Sequence, residues 1–125
     1  MSDSPSRATP SATALEAGWR LFGHDSEGSP VALVIGESRL RAAYPGVTVG
    51  RHPALCDLVI DHPSVSRRHF RVTSGGDTVY IEDLNTLNGT IVDDRRLGPY
   101  EAAPIAHGST VIAGAVALRV ERLEG

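Results

Sequence analysis

Ser64-Val65-Ser66-Arg67-Arg68-His69 is the densest run of hydroxyl, guanidinium and imidazole groups in this sequence. An apolar run, Leu58-Val59-Ile60, precedes it and is closed by Asp61-His62-Pro63, a turn-forming triplet. Phe70-Arg71-Val72-Thr73 follows and alternates apolar with polar, so it reads as a strand with Phe70 and Val72 facing a core. The run is therefore a loop mounted between two strands. Its side chains are mostly hydrogen-bond donors, and the forked guanidinium in particular suits an anion.

The same grammar extends in both directions. Toward the N-terminus, Val47-Thr48-Val49 alternates and ends at Gly50-Arg51. Before it, Leu40 could begin another strand, Val31 to Ile35 is a continuous apolar run suited to a buried strand, and Trp19-Arg20-Leu21-Phe22 makes a short strand with a large anchor. Toward the C-terminus, Ser74-Gly75-Gly76-Asp77 turns into Val79-Tyr80-Ile81. A loop from Asp83 to Thr90 leads to a small hairpin, Ile91-Val92, Asp93-Asp94, Arg95-Arg96-Leu97. Pro99 to Pro104 reads as irregular, and Thr110-Val111-Ile112 and Val116 to Val120 close the chain as strands. Strands recurring about every ten residues with polar turns predict an all-β sandwich or barrel.

Composition narrows the chemistry. A chain of 125 residues fits one domain with a core of its own. Aromatic residues are 5% of the chain, so Val, Leu, Ile and Ala must build that core. Residues 1–17 are rich in Ser, Thr, Ala and Pro and read as a disordered tail, with 18–125 as the folded domain. A net charge of −3 argues against a nucleic-acid binder or an acidic-membrane binder. All 12 basic residues are Arg, which removes P-loop and Schiff-base lysine chemistry. Cys56 stands alone and is expected to be a small buried hydrophobe. Without a signal-like or membrane-spanning stretch, the expected compartment is the cytoplasm, with no membrane insertion.

Three loops carry the chemistry: Gly50-Arg51, Ser64 to His69, and Asn85 to Thr90. A sandwich can bring such loops together at one end. Between them they hold guanidinium, hydroxyl, amide and backbone N–H donors, with no acidic general base at matching spacing. Such a set holds an anion and does not break a bond.

Gly50-Arg51, then Ser66-Arg67-Arg68-His69, then Asp83-Leu84-Asn85-Thr86-Leu87-Asn88-Gly89-Thr90 resembles the forkhead-associated (FHA) domain. That family's signature is Gly-Arg, Ser-x-x-His and Ser/Thr-x-Asn-Gly-Thr in this order, and the resemblance covers roughly residues 19–123. It implies a β-sandwich of about eleven strands in two twisted, mostly antiparallel sheets, with binding loops at one end. It also implies a module that binds phosphothreonine peptides and works as an adaptor in Ser/Thr-kinase signalling, with no cofactor and no metal. Its partner would be a phosphothreonine-containing protein, a component of such a kinase pathway.

On the same resemblance, Arg51 is the main phosphate-binding residue, Ser66 donates its hydroxyl and Arg67 adds a second contact. Thr86 supplies a hydroxyl or backbone donor, and Asn88 bonds the peptide main chain. Ser64, Arg68, Asn85 and Leu87 are candidate peptide contacts. His69 is a framework residue bracing the Ser66 loop, and Gly50 and Gly89 permit tight backbone paths. The sequence departs from the pattern at Leu87, where many members carry Thr, at Asp93-Asp94, which replaces Asn-Gly, and at Ser109, where an acid is frequent.

Other readings compete. The same fold could act as a phosphate-independent scaffold that assembles a larger complex. Ser66 and His69, with Asp61 or Asp83, could be cast as a hydrolase triad, although three-residue spacing in a loop does not supply that geometry. Asp57, Asp61, His62 and His69 match no metal-ligand motif. Phosphorylated Thr9 or Thr13 in the tail could fold back onto the three-loop site.

Overall fold

In the computed structural model, which describes residues 16–125, eleven strands and one short helix follow the spacing of turns in the sequence. The strands are β1 (Gly18–His24), β2 (Pro30–Gly36), β3 (Val47–Gly50), β4 (Leu58–Val59), β5 (Phe70–Gly75) and β6 (Thr78–Asp83). They continue as β7 (Thr90–Val92), β8 (Arg95–Arg96), β9 (Ala102–Ile105), β10 (Thr110–Ala113) and β11 (Val116–Leu123). The helix α1 (Glu37–Ala42) joins β2 to β3. Thr9, Thr13 and all but the last two residues of the expected tail lie outside the described residues.

Six strands form one sheet in the order β2-β1-β11-β10-β7-β8, and five form the other in the order β4-β3-β5-β6-β9. Every pairing is antiparallel except β3 with β4. The fold is thus the expected all-β sandwich.

Period-two alternation selects the inner face of each sheet. Leu21, Ile35, Val111 and Val116 from the first sheet are fully buried, as are Val49, Phe70, Val72 and Ile81 from the second. Phe70 and Val72 therefore face inward as their spacing requires. Aliphatic side chains fill most of the core, as the low aromatic content demands, with Phe70 its largest fully buried member.

Three local readings change. Val31 to Ile35 is not buried on both faces: β2 is an edge strand with Leu33 and Ile35 inside and Val34 half exposed. An unbroken apolar run cannot reveal that its strand has a neighbour on one side only. Leu40 lies in α1, not in a strand, and plugs the core while Glu37 pairs with Arg41 one turn on and with Arg122 at 3.0 Å. Pro99 to Pro104 is not wholly irregular, because Pro104 sits in β9, a sheet edge where its missing N–H costs no ladder bond.

The β7–β8 hairpin turns at Asp93 and Asp94, whose φ values of 48° and 69° are those of a primed two-residue turn. Asp93 supports that turn from the side by accepting bonds from Ser109 Oγ (3.0 Å) and the Thr110 N–H (2.9 Å). Ser109 thus takes up a structural role at the position where the resemblance leads one to expect an acid.

Phe70→Ala should lower the unfolding free energy by about 3–5 kcal/mol, since it empties a large volume that both sheets enclose. Urea denaturation followed by Trp19 fluorescence measures it, and a loss under 1 kcal/mol would contradict this account of the core.

Candidate functional site

Strands β3, β5, β6 and β7 deliver the three motif loops to one end of the sandwich. The chain leaves β3 at Gly50-Arg51, and the Ser64 loop crosses directly over Gly50. A Cβ there would lie 2.4 Å from the Arg67 carbonyl oxygen, so only glycine permits the crossing. The Arg51 N–H donates to Ser66 O (3.0 Å) and the His52 N–H to Arg67 O (3.2 Å). Arg51 Nε donates to Val65 O at 2.9 Å. One edge of the guanidinium is therefore fixed by backbone, and its two terminal nitrogens have no hydrogen-bond partner among the described residues.

His69 fastens the second loop to the third. The ring is fully buried. Nδ1 accepts the Ser66 N–H at 2.9 Å, and Nε2 donates to Gly89 O at 2.8 Å. These partners require the neutral tautomer protonated on Nε2. Burial holds the pKa of His69 below its ordinary 6.5, against the opposing pull of Gly89 O and Asp83. With both ring nitrogens committed to backbone, the imidazole has no lone pair with which to take a proton from the Ser66 hydroxyl. The geometry of a hydrolase triad is not formed.

Asp83, buried at the end of β6, organises the third loop. One carboxylate oxygen accepts the N–H groups of Asn85 (2.9 Å) and Thr86 (3.3 Å). The other accepts the hydroxyls of Thr86 (2.8 Å) and Thr90 (2.7 Å). Thr86 Oγ1 in turn accepts the Gly89 N–H at 3.0 Å. Asn85 adopts a left-handed φ of 63°, which Asn tolerates better than most residues. The sequence casts Asp83 as the third member of a Ser66–His69 triad and does not reveal this role. The signal was present in the Asp followed by Thr at three and seven residues, a pattern suited to a carboxylate that caps its own loop.

The structure brings Arg51, Ser66, Arg67, Arg68, Asn85 and Leu87 around one open cavity of about 530 Å³, together with Leu55 and Leu84. Three guanidinium groups and no carboxylate line it. Thr86, Asn88 and Ser64 lie outside that lining. Thr86 turns inward to Asp83, and Asn88 Nδ2 donates to Ser64 O at 2.8 Å. Ser64 Oγ accepts the Ala115 N–H (2.8 Å), tying the loop to the β10–β11 turn. Leu55 was not among the residues expected at the site, and nothing in its local sequence marks it.

Cys56 is half-buried, not buried. Its thiol donates to Arg67 O at 2.9 Å, and desolvation raises its pKa above the ordinary range. It serves as one more brace under the Ser66 loop. A further cluster stands beside the site. His62 Nε2 lies 2.9 Å from Glu27 Oε1, and its Nδ1 lies 2.8 Å from Ser64 Oγ. These contacts fasten the β1–β2 turn to the Ser64 loop.

The family profile of the FHA domain matches residues 47–114. The chain is 35% identical over 79 residues to the FHA domain-containing protein PS1 of Arabidopsis thaliana, covering 62% of this chain and 5% of that protein. It is 35% identical over 77 residues to the glycogen accumulation regulator GarA of Mycolicibacterium smegmatis, covering 62% and 46%. The chain thus spans less than half the length of either relative.

Among solved structures, the FHA domain of CT664 from Chlamydia trachomatis superposes with a TM-score of 0.67 at 23% identity, covering 83% of this chain and 96% of that one. An FHA domain from an Arabidopsis thaliana hypothetical protein gives 0.69 at 24%, covering 89% and 90%. An FHA domain structure concerned with phosphothreonine-dependent interactions gives 0.63 at 23%, covering 83% and 95%.

Asp83→Ala should cost about 3 kcal/mol or more, because it strands four donors at the base of the loop. Native-state hydrogen exchange should speed up at residues 85–90, and unchanged protection there would contradict the role given to Asp83.

His69 makes stability depend on pH. Its folded pKa lies below 6.5, so as pH falls the unfolded chain takes up the proton first. The contribution is complete above about 6.5 and is lost as pH falls from there toward the folded pKa. His69→Gln should be less stable at pH 7.5 but show a shallower decline between pH 6.5 and 5, read by urea denaturation at each pH. An equally steep decline in the variant would assign the effect to another group.

Proposed function

This chain belongs to the FHA domain family, and we propose that it is a binding module for phosphothreonine peptides, acting as an adaptor within a Ser/Thr-kinase signalling system. The observation that carries this reading is Arg51: its guanidinium is fixed by Val65 O on one edge and open to the cavity on the other. A phosphothreonine brings about −1.5 to −2 charges and three acceptor oxygens. Arg51 and Arg67 supply the charge, and Ser66 adds a hydroxyl whose backbone position His69 fixes. Charge-assisted bonds of this kind contribute about 1.5–3 kcal/mol each.

In this reading Thr86 and Asn88 act through the loops they hold, Thr86 by shaping residues 85–89 around Asp83 and Asn88 by bracing Ser64. Asn85 and Arg68 flank the phosphate and meet the peptide. The phosphothreonine-dependent interactions named for one structural neighbour, and the regulatory role named for GarA, support the assignment. The kinase pathway and the cytoplasmic setting belong to the same proposal. No helix among the described residues is long and apolar enough to cross a membrane.

Titration calorimetry with paired phosphorylated and unphosphorylated threonine peptides tests the proposal. Phosphorylated peptides should bind more tightly by at least two powers of ten. Arg51→Ala should remove about 2–5 kcal/mol of that affinity, and binding should weaken as salt is raised. Equal affinity for both forms, or an Arg51→Ala variant that binds as well as the parent, would reject it.

A further inference from the structure

The cavity that holds the three arginines is not uniformly polar. Leu55, Leu84 and Leu87 also line it. Leu87 is 88% exposed and Leu55 45% exposed. They come from different loops: Leu55 from the β3–β4 connection and Leu87 from the β6–β7 connection. A single exposed leucine on a loop needs no explanation. Two leucines separated by more than thirty residues in sequence line one cavity, with Leu84 a third, and so place apolar side chains inside a charged site.

Hydrogen bonds support the backbone that carries them. The Leu55 N–H donates to His52 O (3.0 Å), and the Leu84 N–H donates to His69 O (3.0 Å). Leu87 sits within the loop closed by Asp83, Thr86 and Gly89. None of these leucines is needed to hold phosphate, and neither Leu55 nor Leu87 belongs to the buried core.

We infer that this chain selects phosphothreonine peptides carrying an aliphatic side chain within a few residues of the phosphate, and that Leu55 and Leu87 form the surface receiving it. The inference rests on the phosphopeptide reading above and deepens it. The phosphate is steered to the guanidinium groups by charge, since no acidic side chain lines the cavity. A neighbouring aliphatic side chain then covers Leu55 and Leu87, removing apolar area from water on both partners. An acidic residue placed there would lose that burial, although Arg67 and Arg68 would still attract it.

The test is a phosphothreonine peptide on an otherwise Ala/Ser background, with Leu, Asp or Ala placed in turn at each flanking position. Affinities are measured for the parent chain, Leu87→Ser, Leu55→Ser and Arg51→Ala, each first checked for an unchanged unfolding midpoint. At one or two positions Leu should bind about tenfold more tightly than Ala. Leu87→Ser and Leu55→Ser should each reduce the ratio of Leu-peptide to Ala-peptide affinity severalfold, whereas Arg51→Ala should weaken both peptides and leave that ratio in place.

Phosphopeptides that bind with no preference for Leu, or a preference that survives in both Leu→Ser variants, would overturn this inference and leave the phosphopeptide reading standing. A peptide set that binds no better with phosphate than without it would overturn both. Preference for Asp over Leu at every position would also overturn it, and would assign the flanking selectivity to Arg67 and Arg68.

Discussion

The loop end of this protein depends on one buried imidazole. His69 accepts the Ser66 N–H with one nitrogen and donates to Gly89 O with the other, and so fixes the distance between two loops that are not neighbours in sequence. Both bonds use backbone atoms, so what is held is the path of the chain. Burial favours the neutral ring, and the neutral ring is the form that can accept and donate at once. Protonation would turn the Nδ1 acceptor into a donor facing the Ser66 N–H. Gly89 O is shared further, since it also accepts the Gly114 N–H at 3.3 Å. Both sheets thereby meet at a single carbonyl.

Around that brace, the polar residues divide into those that face the cavity and those that hold the first group in place. Arg51, Ser66, Arg67, Arg68 and Asn85 face it. Asp83, Thr86, Thr90, Asn88 and Ser64 are bonded to one another or to backbone. The division follows from the cost of disorder. A loop that holds donors in fixed positions gives up little entropy when they are engaged, and here its backbone groups are satisfied beforehand by side chains of the same loop. Asp83 adjoins the site without lining the cavity. Its two oxygens are saturated by four donors, which spreads its charge into the framework and away from the cavity.

The departures from the family pattern sort by the same division. Asp93-Asp94 and Ser109 lie at a hairpin remote from the cavity, and they compensate for one another: Asp93 accepts from Ser109 and Thr110 while the turn keeps its left-handed geometry. Leu87 differs because it stands in the cavity wall. A leucine there cannot repeat a hydroxyl's bond, but it changes the chemistry of the surface beside the guanidinium groups.

Much of the fold was legible in the residue order. Period-two alternation placed Phe70 and Val72 in the core, Gly and Asp marked the hairpins, and Gly50-Arg51, Ser66 to His69 and Asn88-Gly89 marked three loops that the fold brings to one end. These signals are local: they depend on the chirality of the chain, on strand periodicity and on the few residues that tolerate tight turns. Tertiary structure decided what depends on neighbours distant in sequence. It made β2 an edge strand with Val34 half exposed, admitted Pro104 to β9, and wound the segment around Leu40 into a helix that plugs the core. It also turned Thr86 inward, gave Asp83 its four donors and brought Leu55 and Leu87 to one cavity. The sequence determined which side chains could meet an anion. Only the packing of two sheets decided which of them are free to do so, because each hydrogen bond spent within the framework removes a donor from the ligand.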